Sequence, residues 1–220
     1  MEELNCETVF TIPIFGGIPI MESVVVTWII MAALVLLSII FVRNLKIENV
    51  SRTQLALETA IGGIHDFFED IMGKEGIRYI PYLITVALYI GVANLIGLFG
   101  FKAPTKDLNV TLALSLMSII LIEYAGIHKK GVKGWLKSFA EPIPIILPIN
   151  VLEIFIKPLS LCMRLFGNVL GSFVVMELIK IVVPVIVPVP FSFYFDIFDG
   201  LIQTYVFVFL TSLFIKEAVE

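Results

Sequence analysis

The sequence predicts an all-α integral membrane protein built from three transmembrane helices, one amphipathic surface helix and a long C-terminal hairpin of two helices. Its 220 residues are 59% hydrophobic and only 15% charged, with a mean hydropathy of +1.01. A soluble domain is about half apolar and about a quarter charged. Two uncharged stretches, 23–42 and 79–101, are 20 and 23 residues long, and each as helix crosses a hydrocarbon core of about 30 Å. Between them lies a segment whose apolar residues recur at helical spacing among acidic ones. The net charge of −4 and the 15 scattered Lys and Arg exclude a nucleic-acid binder, and the apolar content excludes a disordered chain. Cys6 and Cys162 sit in dissimilar surroundings, so neither a disulfide nor a zinc site is expected.

The chain opens Met1-Glu2-Glu3 without a basic n-region, and the apolar run Ser23 to Val42 has no evident cleavage site. It reads as an anchor rather than a removed signal peptide. Within 51–73, Leu57, Ile61, Ile64, Phe68, Ile71 and Met72 interleave with Glu58, His65, Asp66, Glu69 and Asp70, the pattern of an amphipathic helix. Ser51 with Gln54 reads as its capping box and Gly73 as its stop. The acidic polar face disfavours adhesion to anionic lipid and favours a protein partner. Tyr79 to Phe101 is the second span; Leu108 to Ile127 is the third, with Glu123 near one end. Four lysines follow within the ten residues 128–137, which the positive-inside rule assigns to the cytoplasm. Arg43, Lys46 and Arg52 fall on that same side if three spans alternate, and the link Lys102 to Asp107 falls outside, so the amino terminus is expected outside.

From Pro142 onward the apolar runs are interrupted by Glu153, Lys157, Arg164, Glu177, Lys180, Asp196 and Asp199. Charge at membrane depth is rare and marks function more often than packing. Prolines at 142, 144, 148 and 158 punctuate the start, and Pro184, Pro188 and Pro190 mark a break. Two helices, 142–182 and 192–215, joined near 183–191, are the reading, with the carboxyl terminus cytoplasmic. With no internal repeat and no low-complexity linker, residues 1–220 form a single membrane domain.

Arg164 stays charged at any physiological pH and has no acidic residue within ten positions on either side. It needs a partner from elsewhere, or it snorkels, or it pairs with Asp196 or Asp199. Ser160, Arg164, Asn168, Gly171 and Ser172 share one small or polar helical face, which suits a helix that packs or slides against it. Asp196, Asp199 and Gln203 stand at i, i+3 and i+7 and could line a water-filled path; the bland alternative is that the two aspartates cap the helix. Glu177 lies 13 residues beyond Arg164, about 20 Å along the axis on another face. It serves a second aqueous path or pairs with Lys180, and Glu153 forms a local pair with Lys157 or joins an ion path.

The run Pro158-Leu159-Ser160-Leu161-Cys162-Met163-Arg164-Leu165-Phe166-Gly167-Asn168 closely resembles the signature of subunit a of the F-type ATP synthase membrane sector. Lys106 to Leu114 and Gln203-Thr204-Tyr205-Val206-Phe207 resemble the family's other landmarks, so the likeness extends over essentially the whole chain. The resemblance implies a multi-pass protein of the bacterial inner (plasma) membrane. It also implies a stator beside a rotating ring of c subunits, with the peripheral stalk subunit b as a further partner. Arg164 is then the stator arginine, Asn168 and Gln203 flank the ion path, and the last two helices tilt along the ring. Relatives commonly carry an ionisable residue nine positions after the arginine, where this chain has Phe173, and Glu177 is the candidate substitute. Asp196 keeps a titratable group seven residues before the glutamine.

The mechanism so implied is electrostatic. An ion enters by one half-path and neutralises a ring carboxylate, which travels through lipid and discharges by the other half-path on nearing Arg164. An arginine–carboxylate pair at about 4 Å and an effective dielectric near 20 is worth up to about 4 kcal/mol. The field supplies about 2.3 kcal/mol per charge for each 100 mV, so the pair can form and break. No cofactor is implied, and with no Gly-rich Walker loop, phosphate chemistry belongs to other subunits. The alternative from another class is a subunit of a secondary ion transporter or channel, which also uses buried charges and broken helices.

Overall fold

A computed structural model describes residues 8–12, 18–43, 45, 51–99, 103–139, 145, 147–183 and 187–219. Strands β1 (Thr8–Ile12) and β2 (Ile18–Met21) form a small antiparallel hairpin that leads into the first helix. The rest of the described chain is helical: α1 (Glu22–Val42), α2 (Arg52–Gly76), α3 (Ile80–Leu95), α4 (Leu108–Ser138), α5 (Leu147–Val182), α6 (Pro188–Ser192), a π-helical stretch Phe193–Asp199, and α7 (Gly200–Val219). Five helical stretches among the described residues are long and apolar enough to cross a bilayer.

The hairpin is the part the sequence reading does not anticipate. Its signal is the β-branched and aromatic run Thr8-Val9-Phe10-Thr11-Ile12. The expected disulfide-free state of Cys6 lies outside the described residues, as do Lys46, Lys102, Pro142, Pro144 and Pro184.

Helix α2 starts as expected. Ser51 accepts from the Gln54 backbone N–H at 3.2 Å, one half of a capping box, and the Gln54 side chain donates through Nε2 to Glu58 at 2.7 Å. Gly73, at φ 67°, breaks the helix where a stop was expected, and helical turns resume to Gly76. The third span runs past its expected end: α4 continues through the lysine-rich segment to Ser138, bent at Gly131 with φ 71°. The hairpin's second arm starts earlier than expected, at Pro188. A proline in a first helical turn gives up an N–H that has no partner there anyway, so Pro188 and Pro190 open a helix instead of breaking one.

Helix α7 is the hub, packed on α2, α3 and α4. Phe207, Val208 and Ile215 are almost fully buried, as are Ile80, Leu83 and Ile90 of α3. Helix α1 is pinned by polar contacts: Ser23 donates to Asp107 Oδ2 at 2.5 Å, and the Thr27 and Tyr89 hydroxyls pair at 3.0 Å. Helix α5 meets α4 through one stripe, Pro158, Leu161, Cys162 and Leu165, at the i, i+3, i+4, i+7 spacing of a single face. Its other face is bare. Only 6% of its most apolar window is buried, against 39% in α4 and in 190–219.

Candidate functional site

Arg164 lies on the uncovered side of α5, one residue ahead of fully buried Leu165. Ser160, Gly167 and Gly171 are exposed beside it, and a methyl added at either glycine would meet open space. Small residues about one turn before and one and two turns after Arg164 thus leave room for another helix to approach closely. Among the described residues Arg164 makes no hydrogen bond or ion pair. The aspartates that could have neutralised it within the chain are engaged elsewhere. Asp199 Oδ2 accepts from Asn168 Nδ2 at 2.7 Å and from Ser172 Oγ at 3.1 Å, and Asp196 Oδ2 accepts from Ser192 Oγ at 2.7 Å.

Asn168 and Ser172 therefore turn off the exposed strip toward the C-terminal arm. They meet Asp199 at the end of the π-helical stretch 193–199, a wider winding that is often found at functional sites. Together with Gln203, the two aspartates face a cavity of about 210 Å³ whose wall also includes Asn94, Lys106 and Lys180. Gln203 is 5% exposed, and among the described residues its Nε2 is a buried donor without a partner. Asn94 is the cavity's fixed polar floor: its Nδ2 donates to Gly200 O at 3.0 Å and its Oδ1 accepts from Thr105 at 2.9 Å.

A second cavity, of about 310 Å³, opens among α4, the start of α5 and the end of α7. Glu153 reaches it paired with Lys157 at 3.4 Å, and Lys157 also holds Glu217 at 3.1 Å. Glu123 lines the same space and accepts from Trp135 Nε1 at 2.8 Å. Along α5 the first cavity takes residues from Asn168 to Lys180 and the second takes Asn150 to Lys157. Arg164 stands between the two sets.

The structure thus brings together Asn168, Asp196, Asp199 and Gln203, leaves Ser160 beside Arg164, and puts Glu153 in a separate cavity. Glu177 pairs with Lys180 at 2.6 Å, and of these two Lys180 lines the first cavity. Sequence reasoning missed Asn94, Lys106 and Glu217. An amide inside an otherwise apolar run marks Asn94; Glu217 is 64 positions from Glu153 and carries no local signal.

The family model described as ATP synthase A chain matches residues 24–216. The chain is 38% identical over 207 residues to ATP synthase subunit a of Moorella thermoacetica, covering 93% of this chain and 94% of that one. It is 36% identical over 205 residues to ATP synthase subunit a 2 of Bradyrhizobium sp., covering 93% and 91%. To the Propionigenium modestum protein described as ATP synthase subunit a, sodium ion specific, it is 31% identical over 219 residues, covering 92% and 75%. Neither the matches nor the folded chain favours a secondary transporter or channel subunit. An apolar multi-helix body, an arginine exposed between two cavities and likeness over nearly its full length together place this chain in the ATP synthase subunit a family, the ion-translocating stator component of the membrane sector.

Proposed function

We propose that Arg164 is the fixed charge past which the carboxylates of a c-subunit ring move, and that the two cavities are the half-paths that load and unload them. The observation that carries this reading is the position of Arg164: exposed beside small residues, without a partner among the described residues, and flanked along α5 by one cavity with charged lining residues on each side. A permanent charge costs about 2.5 to 3.5 kcal/mol at the centre of a bilayer even on a lenient scale. A carboxylate arriving on another chain offsets that cost, and its departure restores it.

The ring seats on the bare face of α5, where Leu152, Phe155, Ile156, Leu159 and Met163 are all more than half exposed. Residues Asn168, Asp196, Asp199 and Gln203 form one half-path; Glu153, with Glu217 and Glu123, forms the other. Because Arg164 stands between them, an ion passing directly from one to the other meets a like charge, and the ring route is the open one. The lysine-rich segment at the end of α4 and the carboxyl terminus face the cytoplasm and the 103–107 link faces outside, in keeping with the basic count of each side. The acidic face of α2 is the surface offered to subunit b.

The test is ATP-driven ion pumping by the whole complex in vesicles. Arg164→Ala is expected to abolish pumping, and Arg164→Lys to leave a few per cent or less, since lysine keeps the charge without the planar fork. Normal pumping by the alanine variant would remove the stator assignment.

A further inference from the structure

We infer that Trp135 is a positioning residue of the second half-path: the bend at Gly131 turns it back along α4, and its indole N–H holds the Glu123 carboxylate at the wall of the second cavity. This rests on the reading of that cavity as a half-path. Glu123 is the one acidic residue of the third span, and Trp135 stands 12 positions beyond it. On an unbroken helix that separation is about 18 Å along the axis, out of reach. Yet Trp135 Nε1 donates to Glu123 Oε2 at 2.8 Å, and both residues line the cavity with Glu153, Lys157 and Glu217.

The backbone at Gly131 makes the contact possible. Its φ of 71° with ψ of 162° is a combination essentially confined to glycine. The helix breaks there, and 132–138 winds on as a separate segment that returns Trp135 to the α4 surface. Gly126 leaves the room: a Cβ built on it would stand 3.4 Å from Trp135 Cδ1 and 3.4 Å from Ala218 O near the end of α7. The rest of the segment is tied down as well. The Phe139 ring meets the indole edge-on at 4.8 Å between centroids, Ser138 Oγ donates to Trp135 O at 2.7 Å, and Asn150 Nδ2 at the start of α5 donates to Phe139 O at 2.9 Å.

A tryptophan among lysines at the end of a span ordinarily anchors the helix at the membrane interface, with its N–H in the headgroup layer. Here the N–H is turned to a carboxylate instead, and both partners are half-buried. A glutamate on a long stem otherwise samples several rotamers. A bond to Oε2 selects one of them and commits that oxygen, so an ion crossing the cavity meets the other in a defined place. Groups held in position in advance act faster than groups that must find it. Trp135 touches no ion itself and acts through Glu123.

The experiment is ATP-driven ion pumping by the whole complex in vesicles, compared at equal content of this subunit. Trp135→Phe keeps a ring against Phe139 and loses the N–H; it is expected to slow pumping about tenfold, the lower bound for a hydrogen bond to an ionised partner. Gly131→Ala, which resists the bend, is expected to slow it likewise. Glu123→Ala is expected to slow pumping at least as far, and in that background neither variant is expected to slow it further. A ring that served only as packing would instead slow the Glu123→Ala complex by the same factor again, and that result overturns the proposal. So does a parent rate in Trp135→Phe or in Glu123→Ala. Where Trp135→Phe fails to assemble, Gly131→Ala decides by the same comparison. Arg164→Ala is run alongside. If it is inactive while Trp135→Phe pumps at the parent rate, only the role of Trp135 falls; if it pumps normally, the half-path reading falls and takes this proposal with it.

Discussion

Asn168 donates to Asp199 Oδ2 at 2.7 Å across the gap between the helix that carries Arg164 and the π-helical start of the C-terminal arm. One helical turn separates this amide from the arginine, so the bond ties the path to the charge it serves. Ser172 adds a second donor to the same oxygen at 3.1 Å. Each is a neutral donor to a carboxylate, a class of bond worth about 1.5 to 3 kcal/mol when its partner is ionised.

Asn168→Ala is therefore expected to slow ATP-driven pumping about tenfold with the complex still assembled. The check is a double-mutant cycle of Asn168→Ala with Asp199→Ala, read as pumping rates. Coupled groups deviate from additivity by about 0.5 to 3 kcal/mol. Strict additivity would show that the contact carries no function.

Gly200 is the next point of sensitivity. A Cβ placed there would stand 3.0 Å from Asn94 Cβ, and Asn94 cannot retreat without giving up its bonds to Gly200 O and Thr105. Gly200→Ala is expected to destabilise the subunit by about 1 to 3 kcal/mol, the usual cost of overpacking. Thermal unfolding of the purified complex checks it. Gly62→Ala on α2, where a methyl meets nothing within 4 Å, serves as the control and is expected to be neutral or slightly stabilising.

The first long helix was legible because length and lack of charge mark it: the apolar stretch 23–42 lies within helix Glu22–Val42. Arg164 was legible for the same reason in reverse, as a lone charge in apolar surroundings. The π-helical winding of 193–199 was not, since nothing in Phe193-Tyr194-Phe195-Asp196-Ile197-Phe198-Asp199 distinguishes it from ordinary helix. The contacts of Asp199 with Asn168 and Ser172, 31 and 27 positions away, were hidden as well. Lys106 and Glu217 were hidden because their partners, Phe173 and Lys157, lie 67 and 60 positions away. Tertiary proximity of that kind leaves no mark on local spacing.

Lys157 gives the last prediction. It sits between Glu153 at 3.4 Å and Glu217 at 3.1 Å, with its ammonium 5.2 Å from the Phe214 ring centroid, and it is 20% exposed while the two acids are 45% and 60% exposed. Solvent screens each pair, so neither contributes more than about 1 kcal/mol to stability; the larger effect is on the second cavity, where Lys157 opposes the charges of Glu153 and Glu217. Lys157→Glu is expected to slow pumping several-fold by placing three acids together. Combining it with Glu217→Lys reverses the 157–217 pair, returns one cation to the cluster and is expected to recover most of the lost rate. A double variant as slow as the single one, in complexes assembled to the same level, would mean that Lys157 acts through its packing on Phe214 and not through the charge it sets between the two glutamates.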